Sequence, residues 1–176
     1  MTQPVSAEQF AGMLRTFSGT AFRLETQPAY STSPAEREAL ALFLAGAPRP
    51  PDEFPVWQSW LDDMIELTGQ GKKISRVRIV DDPPTGYQRW AMWTTRWHLE
   101  AGEDIRYLPR ATARTLGIPA GDWWLFDDTS LVLMTFTSDG QPDGRTLVTD
   151  PAVIRQHHTW RALATRHATT AETIAV

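Results

Sequence analysis

Trp123 and Trp124 stand side by side in a short run, Trp123 to Asp127, whose aromatic and apolar residues read as a β-strand. Adjacent strand residues point to opposite faces of a sheet, so this pair demands cover on both sides. One indole lies under helices, while the other meets a second layer, a partner or solvent. The expectation drawn here is an outer recognition surface containing one of the two tryptophans with Arg106 or Arg110, because Trp and Arg most often carry interface energy. The alternative is that the helices between Ser6 and Thr68 form a second layer and bury both rings.

The rest of the chain supplies those helices. Ser6 with Gln9, Ser33 with Glu36 and Thr85 with Gln88 match the pattern in which a hydroxyl caps a free backbone N–H and is answered three residues later by Glu or Gln. Ser33-Pro34 and Asp150-Pro151 add proline at the first helical position. Gly46, Gly69, Gly102 and Gly117 follow helical patterns, where a positive φ commonly ends a helix. Helices are expected over Ser6–Thr16, Pro34–Ala45, Pro55–Thr68, Thr85–Ala101, a short stretch after Arg110, and Pro151–Ala168. Strands are expected over Ser75–Val80, Asp104–Leu108, Trp123–Asp127, Leu131–Thr137 and Arg145–Thr149. The first two strands flank a helix and make a β-α-β unit, whose crossover favours parallel pairing. Asp127 to Ser130 reads as a tight turn and SDGQPDG as a longer one, so the last three strands form an antiparallel meander. The fold class is α+β or α/β, with a mixed sheet of about five strands. One domain over residues 1–176 is expected, with a helical N-terminal part to residue 71 and a sheet-containing part from residue 72.

Composition excludes several functions. A net charge of -4 gives no basic field for nucleic acid, so direct nucleic-acid binding is not expected. The chain has no cysteine, which removes disulfides, thiolate catalysis and thiolate metal sites. The N-terminus carries neither a charged leader nor an apolar run, and no stretch reaches membrane-spanning length, so a cytoplasmic, membrane-free protein is expected. His157 and His158 are adjacent on a helix and diverge by about a quarter turn, unlike the i, i+4 pair that zinc sites use. They read as structural histidines, and no metal or cofactor is expected.

Two groups of side chains are candidates for binding. Seven of the eight tryptophans lie on or beside helical stripes or in the strand pair. Trp57, Trp60, Leu61, Met64 and Ile65 share one spacing, and Tyr87, Trp90, Thr94, Trp97 and Ala101 another. Both stripes read as buried faces, with Trp60 and Trp90 at their centres. The second group is charged: Arg76 and Arg78 on one strand, then Glu100, Glu103, Asp104, Arg106 and Arg110 around the next. Guanidinium forks pair with carboxylate or phosphate, so this set either holds an anion or is an internal ion-pair network. The binding candidates are Tyr87, Arg89, Glu103, Arg106, Arg110, Trp123 and Trp124. No GxSxG, Walker or GxGxxG sequence occurs, so no catalytic residue is named.

The segments RVRIVDDPPTGYQRW, AGEDIRYLPR, DWWLFDD and TDPAVIRQHHTWRALA, with AFRLETQPAY and FLAGAP before them, resemble a family of uncharacterised actinobacterial domains. Members are commonly encoded beside helix-turn-helix regulators, which implies a regulatory setting. A fainter likeness in fold links the order of elements from Ala101 to Phe136 to phospholipase D-like domains. Active enzymes of that group carry an HxK pair before the WWLFDD-like strand. Here His98-Leu99-Glu100 and His158-Thr159-Trp160 both depart from it, which implies a relative without the nucleophile. The expected function is therefore a non-catalytic regulatory domain that docks a partner such as a helix-turn-helix regulator or senses a small ligand. The alternatives are a phosphodiesterase-like enzyme using Glu103, Arg106, Arg110 and Tyr87, and a homo-oligomeric module joined through its tryptophan faces.

Overall fold

The computed structural model describes residues 1–31 and 33–171. In chain order these form β1 (Thr2–Pro4), α1 (Ala7–Thr16), β2 (Thr20–Glu25), α2 (Pro34–Leu44), α3 (Pro55–Gly69), β3 (Lys73–Val80), α4 (Gly86–Glu100), β4 (Asp104–Pro109), α5 (Arg110–Thr115), β5 (Asp122–Phe126), β6 (Ser130–Phe136), β7 (Pro142–Val148), α6 (Pro151–His167) and β8 (Thr169–Thr170). The strands make one mixed sheet in the order β1-β7-β6-β5-β2-β3-β4-β8. The class is as the sequence implies, with eight strands rather than about five.

The β3-α4-β4 crossover is parallel, and β5, β6 and β7 form the antiparallel meander. At the β5–β6 turn Thr129 N donates to Phe126 O, with Asp127 and Asp128 between them both at positive φ. That is the primed geometry whose twist suits a two-residue hairpin. Ser6 and Thr85 form complete capping boxes, Ser33 caps α2, and Asp150 accepts from Ala152 N and Val153 N at the start of α6. Gly69 is the last residue of α3 but not the left-handed residue that follows it, which is Gly71.

The N-terminal part is not purely helical, because β2 lies in the middle of the sheet between β5 and β3. Helices α1 to α4 cover one face. There Ala21, Ile74, Trp124, Phe126 and Val132 pack with Phe10, Trp57, Leu61, Met64 and Trp90. Helices α5 and α6 cover the other face, where Phe22, Leu24, Val77, Trp123 and Leu125 meet Ala113, Ile154 and Ala164. Trp124 stacks edge-on against Phe10 of α1, and Trp123 sits against His157 of α6. Both tryptophans are therefore core residues, at 1% and 2% exposure. The expected outer surface built on one of them does not exist, because the N-terminal helices supply the second layer.

Trp90 is buried as its stripe requires, but Trp60 is only half-buried, and Ile65 at the end of the same stripe is exposed. No helix among the described residues is long and apolar enough to cross a membrane. Replacement of Trp124 by Ala should cost roughly 3–5 kcal/mol, the range for a buried aromatic, while Ile65→Ala should stay within about 0.5 kcal/mol. Urea denaturation reads both values, and a Trp124→Ala loss under about 1 kcal/mol would contradict the two-sided core.

Candidate functional site

The parallel register of β2 and β3 sets Arg23 beside Arg76 and Glu25 beside Arg78. Strand alternation puts all four on one face, toward α2, α3 and α4. Arg78 Nε donates to Glu25 Oε2 at 2.9 Å, Arg76 Nη1 donates to Glu25 Oε1 at 3.3 Å, and Arg23 Nε lies 3.3 Å from that same oxygen. On its other side Arg76 Nε donates to Glu103 Oε2 at 2.7 Å. Arg78 also donates to Ala91 O and Thr95 Oγ1 of α4, which ties the helix to the network.

Glu103 reaches this network because Gly102 turns the chain back at the end of α4, with φ of 87°. A Cβ on Gly102 would come within 2.8 Å of Thr68 Oγ1, so the turn also lets α3 approach. The returned carboxylate accepts from His98 Nδ1–H at 2.7 Å. An ionised carboxylate only accepts, so this bond places the proton on Nδ1 and leaves Nε2 of the neutral ring as an acceptor. Asp122, at the start of β5, accepts from Thr26 N and Thr26 Oγ1 at 2.8 Å each and from the Tyr30 hydroxyl, with Arg23 Nη2 at 3.8 Å.

Three guanidinium groups thus face three carboxylates, and nearly all of them are out of water. Burial alone would raise Glu25 and Glu103. Arg23, Arg78 and Arg76 instead hold Glu25 far below the usual range, and Arg76 with His98 holds Glu103 down to about 2. Burial pushes His98 below its ordinary value against the pull of Glu103. Burial also lifts Tyr87 and Glu36, the latter a carboxylate on the first turn of α2.

Above these charges lies a cavity of about 360 Å³ lined by Arg23, Glu25, Arg76, Arg78 and His98 from the network. One wall is a continuous edge-to-face series: Trp57–Trp90 at 5.7 Å, Trp90–Tyr87 at 5.5 Å, and Tyr87–Tyr30 at 5.5 Å between ring centroids. Trp60 lines it as well, with the Arg76 guanidinium 5.1 Å over its ring. Ser33, Glu36 and the exposed Val56 complete the rim.

Of the binding candidates named from sequence, Tyr87 lines this cavity and Glu103 stands behind it, bonded to Arg76 and His98; Arg76 and Arg78, grouped with Glu103 by charge, line the cavity too. The others are elsewhere. Arg89 is exposed and donates to Pro84 O. Arg106 pairs with Asp104 and reaches Thr165 O of α6, on the opposite face of the sheet. Arg110 pairs with Asp81, while Trp123 and Trp124 are core. The sequence reading missed Arg23, Glu25 and His98. The signal was the alternation Ala21-Phe22-Arg23-Leu24-Glu25, which marks a strand once its charged face is allowed to be internal. His157 and His158 each bond a backbone carbonyl, Val153 O and Asp128 O. No group of three or more metal-binding side chains is brought together among the described residues.

The fold has counterparts among solved structures. The chain is similar to a phospholipase D family member, Nuc from Salmonella typhimurium, with a TM-score of 0.55, 11% identity and 97% of each chain covered. It is equally similar to NucT from Helicobacter pylori, with a TM-score of 0.55, 7% identity and 97% of each chain covered. At such identities the likeness is one of fold. The chain belongs to the family described as Domain of unknown function (DUF6879), whose model matches residues 8–174. No curated protein matches it.

The shifts fix the sign of a pH dependence. Glu103 is depressed from 4.5 to about 2, so its contribution to stability is complete above pH 4.5 and is lost as pH falls toward 2. His98 is depressed from 6.5, so its contribution is present above that value and is lost on acidification below it. The urea midpoint should therefore fall steadily from pH 6.5 to pH 3, and less steeply in Glu103→Gln. A midpoint that stays constant over that interval would contradict the buried network.

Proposed function

We propose that this chain is a non-catalytic binding domain whose cavity holds a small ligand, acting as a sensor in a regulatory setting. The observation that carries the reading is the commitment of the cavity's charged groups to one another. Glu25 is bound by arginines, Glu103 by Arg76 and His98, and Asp122 by Thr26 and Tyr30. The result is a fixed, low-dielectric recess with shape, aromatic walls and hydrogen-bonding groups, the usual composition of a ligand site. A flat apolar patch would have favoured a protein partner instead.

The phospholipase D-like fold supports the same reading through what this chain puts in place of the HxK pair. Its only lysines are Lys72 and Lys73, at the start of β3 and outside the cavity, and Lys72 Nζ donates to Arg15 O. A regulatory setting, with occupancy passed to a helix-turn-helix partner in the cytoplasm, is supported by the resemblance to domains encoded beside such regulators. One observation favours a second reading as an enzyme. His98, held by Glu103 and neutral, lines the cavity with the geometry of an oriented general base.

Two measurements separate these readings. Protein purified from its native host and extracted under denaturing conditions should release one small molecule in near-stoichiometric amount, identified by mass spectrometry. The purified chain should not turn over bis(p-nitrophenyl) phosphate. Recovery of no enriched small molecule, or turnover that disappears in His98→Gln, would overturn the proposal.

A further inference from the structure

The cavity is short of acceptors. Arg76 is 5% exposed, and two of its nitrogens are bonded to Glu103 and Glu25, but Nη2 has no acceptor among the described residues. The indole N–H groups of Trp60 and Trp90, both of which line the same cavity, are also buried without an acceptor among the described residues. Unpartnered indoles occur in the core as well, at Trp123 and Trp124, so the indoles alone would not identify a ligand. Arg76 is different. A buried guanidinium N–H left unpaired costs far more than a neutral one, and here it belongs to a side chain lining an open recess.

Charge narrows the class. Arg23, Arg76 and Arg78 are balanced by Glu25, Glu103 and Asp122, and Glu36 adds a further carboxyl group at the rim, so the site has no surplus positive charge with which to neutralise a dianion. A phosphate monoester would bring about two negative charges into a low-dielectric recess already at balance. A head group with two oxygens and one charge matches the donors left over: two guanidinium nitrogens, Arg76 Nη2 and Arg23 Nε, and two indole N–H groups. The body of the ligand is set by the wall of Trp57, Trp90, Tyr87 and Tyr30, whose edge-to-face rings offer an aromatic surface against which a flat ring can pack.

We propose that the cavity takes a planar aromatic monocarboxylate, its carboxylate on Arg76 Nη2 and the indole N–H groups of Trp60 and Trp90, and its ring against the Trp57–Tyr30 wall. This rests on the reading of the cavity as a ligand site and names the chemistry of the ligand. At about 360 Å³ the recess lies near the small end of ligand pockets, so one or two fused rings fill it.

The test is isothermal titration of the full chain with 2-naphthoate, 2-naphthamide, cyclohexanecarboxylate, phenyl phosphate and inorganic phosphate. Binding of 2-naphthoate is expected, with each of the others at least about tenfold weaker, the factor associated with one charge-assisted hydrogen bond or the loss of ring contact. Trp90→Phe and Trp60→Phe keep a ring and remove one N–H each, and each should weaken 2-naphthoate and cyclohexanecarboxylate by a similar factor of about ten, because both present the same carboxylate. The melting temperature of each variant shows that the comparison is made on folded protein. Amide and acid binding equally, phenyl phosphate binding more tightly than 2-naphthoate, or both Phe variants binding unchanged would overturn the assignment. So would the absence of 2-naphthoate binding. If the native-host extract nonetheless yields a small molecule of another class, only the ligand class fails. If it yields none, the reading of the cavity fails with it.

Discussion

The buried charge network between β2, β3 and the end of α4 is the constraint on which the rest of the structure depends. Parallel pairing places Arg23 beside Arg76 and Glu25 beside Arg78, and no shift of register by one residue preserves that match, because it would turn every charge to the other face. Burying ions costs several kcal/mol each, and their attraction offsets this only with good geometry and complete partners. The network meets most of that demand by pairing three guanidinium groups with three carboxylates, leaving Arg76 Nη2 and Arg23 Nε without an acceptor among the described residues, and Gly102 is what brings Glu103 into range of Arg76 and His98. Cover from α2, α3 and α4 then keeps water from screening the ions, and leaves a recess where the helices do not close over them.

Much of the fold could be read from local chemistry. Hydroxyl caps, N1 prolines and the Asp-rich hairpin are short-range devices, so α1, α2, α4, α6 and the β5–β6 turn stand close to where the residues place them. What could not be read was long-range. β2 was hidden because Arg23 and Glu25 look like the solvent face of a half-exposed segment, yet their face is internal and charge-paired. β1 and β8 have three and two residues, too few for any periodicity to show. Ile65 fits a helical stripe, but α3 has no neighbour on that side.

The site was partly legible for the same reason. Arg76, Arg78 and Glu103 could be grouped because they lie close in sequence around one β-α-β unit. Arg106 was grouped with them by proximity, although its register opposite Val77 fixes it on the other face. Trp123 and Trp124 show the same logic from the other direction. The alternation that seemed to force one of them outward is satisfied by a second helical layer, built from residues far away in the chain.

A balanced ion network is an expensive way to fill the middle of a sheet, and the proposed ligand site gives a reason for keeping it. The most direct test replaces one ion pair by apolar residues of similar length, Glu25→Met with Arg78→Met. Buried pairs exchanged in this way commonly leave stability unchanged or raise it by roughly 1–4 kcal/mol. Glu25 also holds Arg76 and Arg23, so the paired variant gives up part of that gain; expressed in the native host, it should stay within about 2 kcal/mol of the parent in urea and should no longer carry the small molecule released from the parent protein. A variant that loses several kcal/mol while retaining the bound molecule would show that the network serves the fold alone.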